Sequence, residues 1–182
     1  MSELSIYPEN DPGSPRRFTG FDDIRRELDA IGIRFERWDA GRPLAPGASQ
    51  EEILDAYRED VDRLMRENGF RSADVVSLTP DHPQREALRA KFLDEHTHSE
   101  DEVRFFVDGQ GLFYIHKGGQ VYGVLCGKGD LINVPDNTTH WFDMGPEPRF
   151  TAIRLFSNPE GWVANFTGSD IASRFPRFGE HG

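Results

Sequence analysis

The chain has 182 residues, of which 36% are hydrophobic, 12% aromatic and 29% charged, with a formal net charge of −11 at pH 7. That length suits one domain with a real core, and the composition is that of a soluble globular protein. An acidic surface repels nucleic-acid phosphates and anionic lipid, so neither is an expected partner.

The first zone runs to about Phe70 and is mixed and partly helical. Its opening, "MSELSIYPENDPGSP", is polar and does not read as a signal peptide. "FTGFDDIRRELDAIG" carries Phe21, Ile24, Leu28 and Ile31 at helical spacing. "GRPLAPGAS" reads as a loop. A second helix is predicted over "SQEEILDAYREDVDRLMRENG", where Ser49 and Glu52 form a capping box and Gly69 suits a left-handed cap. Its stripe of Ile53, Leu54, Tyr57, Val61, Leu64 and Met65 is expected to pack against a sheet.

The second zone, residues 71–95, opens with a predicted strand, "ADVVSLT". "TPDHP" then breaks the chain, and a short helix follows around "QREALRAKF". The third zone, residues 96–156, is dense in short β-branched and aromatic runs: "EVRFFV", "GLFYIH", "VYGVLC", "DLINVP", "THWFDMG" and "RFTAIRLF". Glycine- and proline-rich turns divide them, which points to an antiparallel sandwich or barrel. The tail, residues 157–182, is expected to be loop plus a helical turn laid on the barrel. One cysteine, Cys126, excludes an internal disulfide and fits a reducing, cytoplasmic setting. No apolar run is long enough to span a bilayer.

The chemistry concentrates in "EHTHSEDEVRFFVDGQG". Side chains alternate along a strand, so His96 and His98 share a face, as do Glu102 and Arg104. His140 follows a proline turn in "VPDNTTHWF". Three imidazoles and a carboxylate can converge inside a barrel as a metal site with open positions. A buried Arg104 beside Glu102 would hold an anionic oxygen, which makes it the expected catalytic residue. Glu95 and Asp101 flank the ligands and could accept hydrogen bonds from their rings. Phe92, Phe106, Phe142 and Trp162 could line a pocket or simply fill core, and Arg154 reads as a second inward cation or half of an ion pair. His82 reads as an exposed turn residue in the breaker, and His116 and His181 lack partners at ligand spacing.

These residues resemble the cupin motifs. His96, His98, Glu102 and Gly109 match G-x5-H-x-H-x3,4-E-x6-G, with Ala90 at the leading glycine. Gly129, Pro135 and His140 match G-x5-P-x-G-x2-H-x3-N, with Asn137 and Met144 at the turn glycine and final asparagine. The departures touch turns and not ligands. The fold implied is mainly β, a cupin double-stranded β-helix (jelly-roll barrel) with a few N-terminal helices, in one domain spanning residues 1–182.

With "FTAIRLF" and "PEGWVANFTG" added, the chain is similar to the acireductone dioxygenases. That resemblance implies a monomer binding one Fe(II) or Ni(II) ion and acting with O2 on the acireductone 1,2-dihydroxy-5-(methylthio)pent-1-en-3-one in methionine salvage. It implies formate and 4-methylthio-2-oxobutanoate with iron, and formate, carbon monoxide and 3-methylthiopropionate with nickel. It also implies that Glu95 aids metal incorporation and that Asp101 relays local change. The ligand set alone leaves open another metal-dependent cupin, whether isomerase, decarboxylase or other dioxygenase, and a non-catalytic binding cupin.

Overall fold

A computed structural model describes residues 2–38, 48–157 and 163–178. Two antiparallel sheets face each other. The seven-stranded sheet has the order β12-β5-β10-β7-β8-β1-β2. Its strands are β1 (Glu3–Pro8), β2 (Arg16–Phe18), β5 (His96–Thr97), β7 (Gly111–Lys117), β8 (Gln120–Cys126), β10 (His140–Asp143) and β12 (Asn165–Phe166). The five-stranded sheet has the order β3-β9-β6-β11-β4. It is built from β3 (Arg34–Arg37), β4 (Ser72–Leu78), β6 (Glu102–Gly109), β9 (Asp130–Val134) and β11 (Phe150–Phe156). Within the described residues this is the antiparallel barrel that the glycine-punctuated strands imply, in the jelly-roll form that the cupin resemblance implies.

The barrel draws in more chain than the strand-dense zone. β1, β2, β3 and β4 all precede His96, and β1 pairs with β8 from Glu3↔Leu125 to Pro8↔Gln120. The polar start of the chain hides β1 because only Leu4 and Ile6 face inward, while Ser5 and Tyr7 face out.

Alternation sorts three apolar layers. Inside, Leu4, Ile6, Phe113, Ile115, Val124 and Phe142 of one sheet meet Phe35, Phe106, Ile132, Val134 and Ala152 of the other. The outer face of the five-stranded sheet, through Val103, Phe105, Leu131, Ile153 and Leu155, is covered by Ile53, Tyr57, Val61 and Leu64. The outer face of the seven-stranded sheet, through Tyr7, Leu112, Tyr114 and Trp141, is covered by Ile171, Ala172 and Phe175 at the 3-10 turn Ile171–Arg174.

The helices are α1 (Phe21–Asp29), α2 (Gln50–Ala56), α3 (Arg58–Asn68) and α4 (Arg85–Phe92). The Ser49–Glu52 capping box opens α2, and Gly69 closes α3 at φ 73°. The stripe expected to form one helix breaks at Tyr57, whose φ of −111° and ψ of 18° leave the helical region. Its ring is buried edge-on against Phe105 at 5.2 Å, so packing on the sheet overrides helical continuity. Cys126 is a buried thiol on β8, and burial pushes its pKa well up. Among the described residues no helix is long and apolar enough to cross a membrane.

Candidate metal centre

Strand register brings the ligand candidates together. β5 lies antiparallel to β10 with His96 opposite His140, so both rings enter from one face. His98 follows two residues on, and its ring centroid lies 4.9 Å from that of His96 and 5.2 Å from that of His140. All three are buried, and one ring nitrogen from each lies within 4.8 Å of the others. The turn before β10 is closed by Asn137, the only non-glycine residue at positive φ (58°) among the described residues. Asparagine therefore does the work of the motif glycine. Asn137 also donates its backbone N–H to the His98 carbonyl at 2.8 Å, which joins the two ligand segments.

Backbone carbonyls set the tautomers. The Nδ1–H of His96 donates to Asp94 O at 2.7 Å, that of His98 to Val163 O at 3.1 Å, and that of His140 to Thr138 O at 2.8 Å. That leaves Nε2 of each ring as the atom available to a metal. Burial, with help from His140, pushes the His96 pKa down to about 4, and burial likewise lowers His98. Both rings are neutral at pH 7, the form a metal requires.

Glu102 completes the cluster from β6. Its Oε2 lies 2.9 Å from His140 Nε2 and 3.5 Å from His98 Nε2, and its Oε1 lies 2.8 Å from Arg104 Nε. Burial opposes its ionisation, but Arg104 and the two rings outweigh that and hold its carboxyl well below the usual carboxylate range. Glu102 Oε2 and His140 Nε2 thus face each other at hydrogen-bonding distance, 2.9 Å apart. Three buried imidazoles with a carboxylate beside them form a donor set that fits a divalent metal.

Arg104 follows on the inward face of β6, opposite Arg154 of β11. Its guanidinium carbon lies 4.8 Å from the Phe142 ring centroid, 5.6 Å from Phe113 and 6.0 Å from Phe92. Aromatic faces and Glu102 offset the burial of this charge. Phe92 and Phe142 are thus at the site. Phe106 sits deeper, against Phe113 and Phe150. Arg154 is half of an ion pair, with Nε and Nη2 on the two oxygens of Asp74 at 2.8 and 2.6 Å. Trp162 and His181 lie outside the described residues.

Neither flanking carboxylate reaches a ligand ring, contrary to the expectation for Glu95 and Asp101, because backbone carbonyls already occupy every Nδ1–H. Asp101 accepts from the Asp136 N–H at 3.0 Å and braces the turn before His140. Glu95 receives the Thr167 hydroxyl at 2.8 Å and the His116 Nδ1–H at 2.6 Å. The contacts of His116 and Thr167 with Glu95 were not legible in the sequence, since the partners are distant along the chain. Phe113 was hidden among the many strand aromatics.

An antiparallel barrel that gathers three buried histidines from neighbouring strands defines a metal-binding cupin. Within that class the chain belongs to the ARD/ARD' family, whose family model matches residues 5–164. It is 65% identical to an acireductone dioxygenase of Marinobacter nauticus over 98% of this chain and 96% of the relative. It is 59% identical to that of Pseudomonas aeruginosa PAO1, over 97% of this chain and 98% of the relative. Among solved structures it is similar to the Bacillus anthracis acireductone dioxygenase with a cadmium ion in its active center. That match has a TM-score of 0.82 and 30% identity, covering 91% of this chain and 98% of the other.

Proposed function

We propose that the chain is an acireductone dioxygenase that holds one Fe(II) or Ni(II) ion through His96, His98, Glu102 and His140. The observation that carries this reading is the inward convergence of three Nδ1-tethered imidazoles on the Glu102 carboxylate, with Arg104 2.8 Å from it. When bound, a divalent ion supplies positive charge that favours the doubly ionised enediol and its encounter with O2. Arg104 adds a second, permanent charge beside the position of the enediolate oxygens. Phe92, Phe113 and Phe142 exclude water around that charge and so strengthen it. The three backbone carbonyls tether the rings and so limit the freedom lost when the ion binds.

On this reading the substrate is 1,2-dihydroxy-5-(methylthio)pent-1-en-3-one. The iron form gives formate and 4-methylthio-2-oxobutanoate, and the nickel form gives formate, carbon monoxide and 3-methylthiopropionate. The test is aerobic loss of the enediol's ultraviolet absorbance, with product identification, on separately reconstituted Fe(II) and Ni(II) protein. Fast loss giving different acids from the two metals, abolished in His96→Ala, is the expected result. A fully loaded protein with no loss above background would remove the enzyme reading and leave the fold standing.

A further inference from the structure

β5 has two residues, yet it carries His96 and leads into His98. Its pairing with β10 is the single register His140↔His96, and its other neighbour, β12, is equally short. So short a strand does not fix its own position. His116 on β7 supplies what the ladder lacks. Its Nδ1 bonds Glu95 Oε2 at 2.6 Å, and Glu95 is the residue before His96. Its backbone N–H donates to Thr139 O at 2.9 Å and its carbonyl receives the Thr139 hydroxyl at 2.7 Å, and Thr139 is the residue before His140. One residue is therefore bonded to the immediate predecessors of two ligands on two strands.

The ring is also held on its far side, where Nε2 bonds Glu9 Oε2 at 2.8 Å just past the end of β1. Both ring nitrogens face carboxylates, so both donate and the ring is an imidazolium. The two arms differ. The Glu95 side chain is 5% exposed and the Glu9 side chain 40%, so water can replace the bond to Glu9 but not the bond to Glu95. Glu95 is held a second time, at its other oxygen, by the Thr167 hydroxyl at 2.8 Å.

From this we infer that His116 is a positioning residue for the metal centre: through Glu95 its ring holds His96 in place and slows escape of the bound ion, while its backbone bonds to Thr139 hold the start of β10 whatever the side chain. The assignment rests on the metal centre proposed above.

The two arms can be cut separately. In His116→Asn the amide nitrogen stands where Nδ1 was and can still donate to Glu95. In His116→Gln it stands where Nε2 was and serves only the Glu9 arm. Both variants are small, polar and lack the imidazolium, so a general loss of stability affects them alike. The readouts are the rate at which a chelator strips Co(II) from the loaded protein and the visible Co(II) ligand-field bands. His116→Gln should release Co(II) about tenfold to a hundredfold faster than the wild type, with shifted bands. His116→Asn should stay within about twofold of the wild type, with bands unchanged, because the arm acting on His96 is intact. Equal release from the two variants, whether fast or slow, would overturn the assignment while leaving the metal centre intact. A wild-type protein that takes up no Co(II) would overturn the metal centre itself, and the assignment with it.

Discussion

Arg104 carries its charge inside a cage of three phenyl rings, with Glu102 as its ionic partner. If it stabilises charge on the substrate, Arg104→Ala should lower turnover of the enediol by about 10²- to 10³-fold. Metal content should stay near one ion per chain, because the three imidazoles and Glu102 remain. Arg104→Lys should recover little, since a compact ammonium does not match the planar stacking on Phe142 at 4.8 Å. Turnover and metal content measured on the same preparations check both points, and full turnover in Arg104→Ala would remove the role. At this scale the sequence was most readable where residues are close together. His96, His98, Glu102 and Arg104 fall within one short stretch; strand alternation pairs His96 with His98 and Glu102 with Arg104, and the two pairs meet because β5 and β6 belong to facing sheets. The His116–Glu95 pair spans 21 positions and the His116–Glu9 pair 107, and no local spacing rule reaches that far.

Elements were readable where turn chemistry marked their ends. Gly109, the last glycine of the first motif, shows why. It sits at φ 75°, and an added Cβ would lie 2.0 Å from Arg149 O and 2.6 Å from Phe150 Cα. Both obstacles are backbone, so no side-chain rotation relieves them. Gly109→Ala should destabilise the fold by more than about 3 kcal/mol in urea unfolding. Ser49→Ala acts on a different element. It removes the hydroxyl that caps Glu52 N at 3.2 Å and should cost about 1 kcal/mol, while metal affinity stays unchanged because α2 covers the outer face of the barrel. A larger loss, or a change in metal affinity, would mean that α2 is coupled to the barrel interior. The elements that escaped sequence reading were those whose cues are tertiary. β1 to β3 are short strands whose polar residues face outward or lie on edges, and the α2–α3 break follows from where Tyr57 packs. Periodicity reports a buried face; it does not report a local departure from the helix that preserves that face.

For the whole molecule, the two groups of imidazoles oppose each other as pH changes. His96 is pushed by burial from an ordinary 6.5 down to about 4, and His98 is lowered as well. The unfolded chain therefore binds protons that the metal-free fold refuses, and stability falls as pH drops from about 6.5 towards 4. For His96 alone the fall approaches about 3 kcal/mol at roughly 1.4 kcal/mol per pH unit. His116 has the reverse sign. Burial lowers its pKa, but the hydrogen bonds and charges of Glu9 and Glu95 outweigh burial and raise it above 6.5. Its contribution is full below about 6.5 and disappears as pH rises through the raised value. Metal-free protein should consequently be most stable near neutrality, with an acid limb set by the ligand rings and an alkaline limb that includes His116. Loading with metal should raise the melting temperature and steepen the acid limb, because protons then compete with the ion for the same lone pairs. Melting temperatures of metal-free wild type and His116→Gln between pH 4 and 9 separate the two groups. The acid limbs should run parallel, while the deficit of the variant should shrink as pH rises past the His116 value. A deficit that stayed constant to pH 9 would mean that His116 is neutral at pH 7 and that its bond to Glu95 is an ordinary uncharged one.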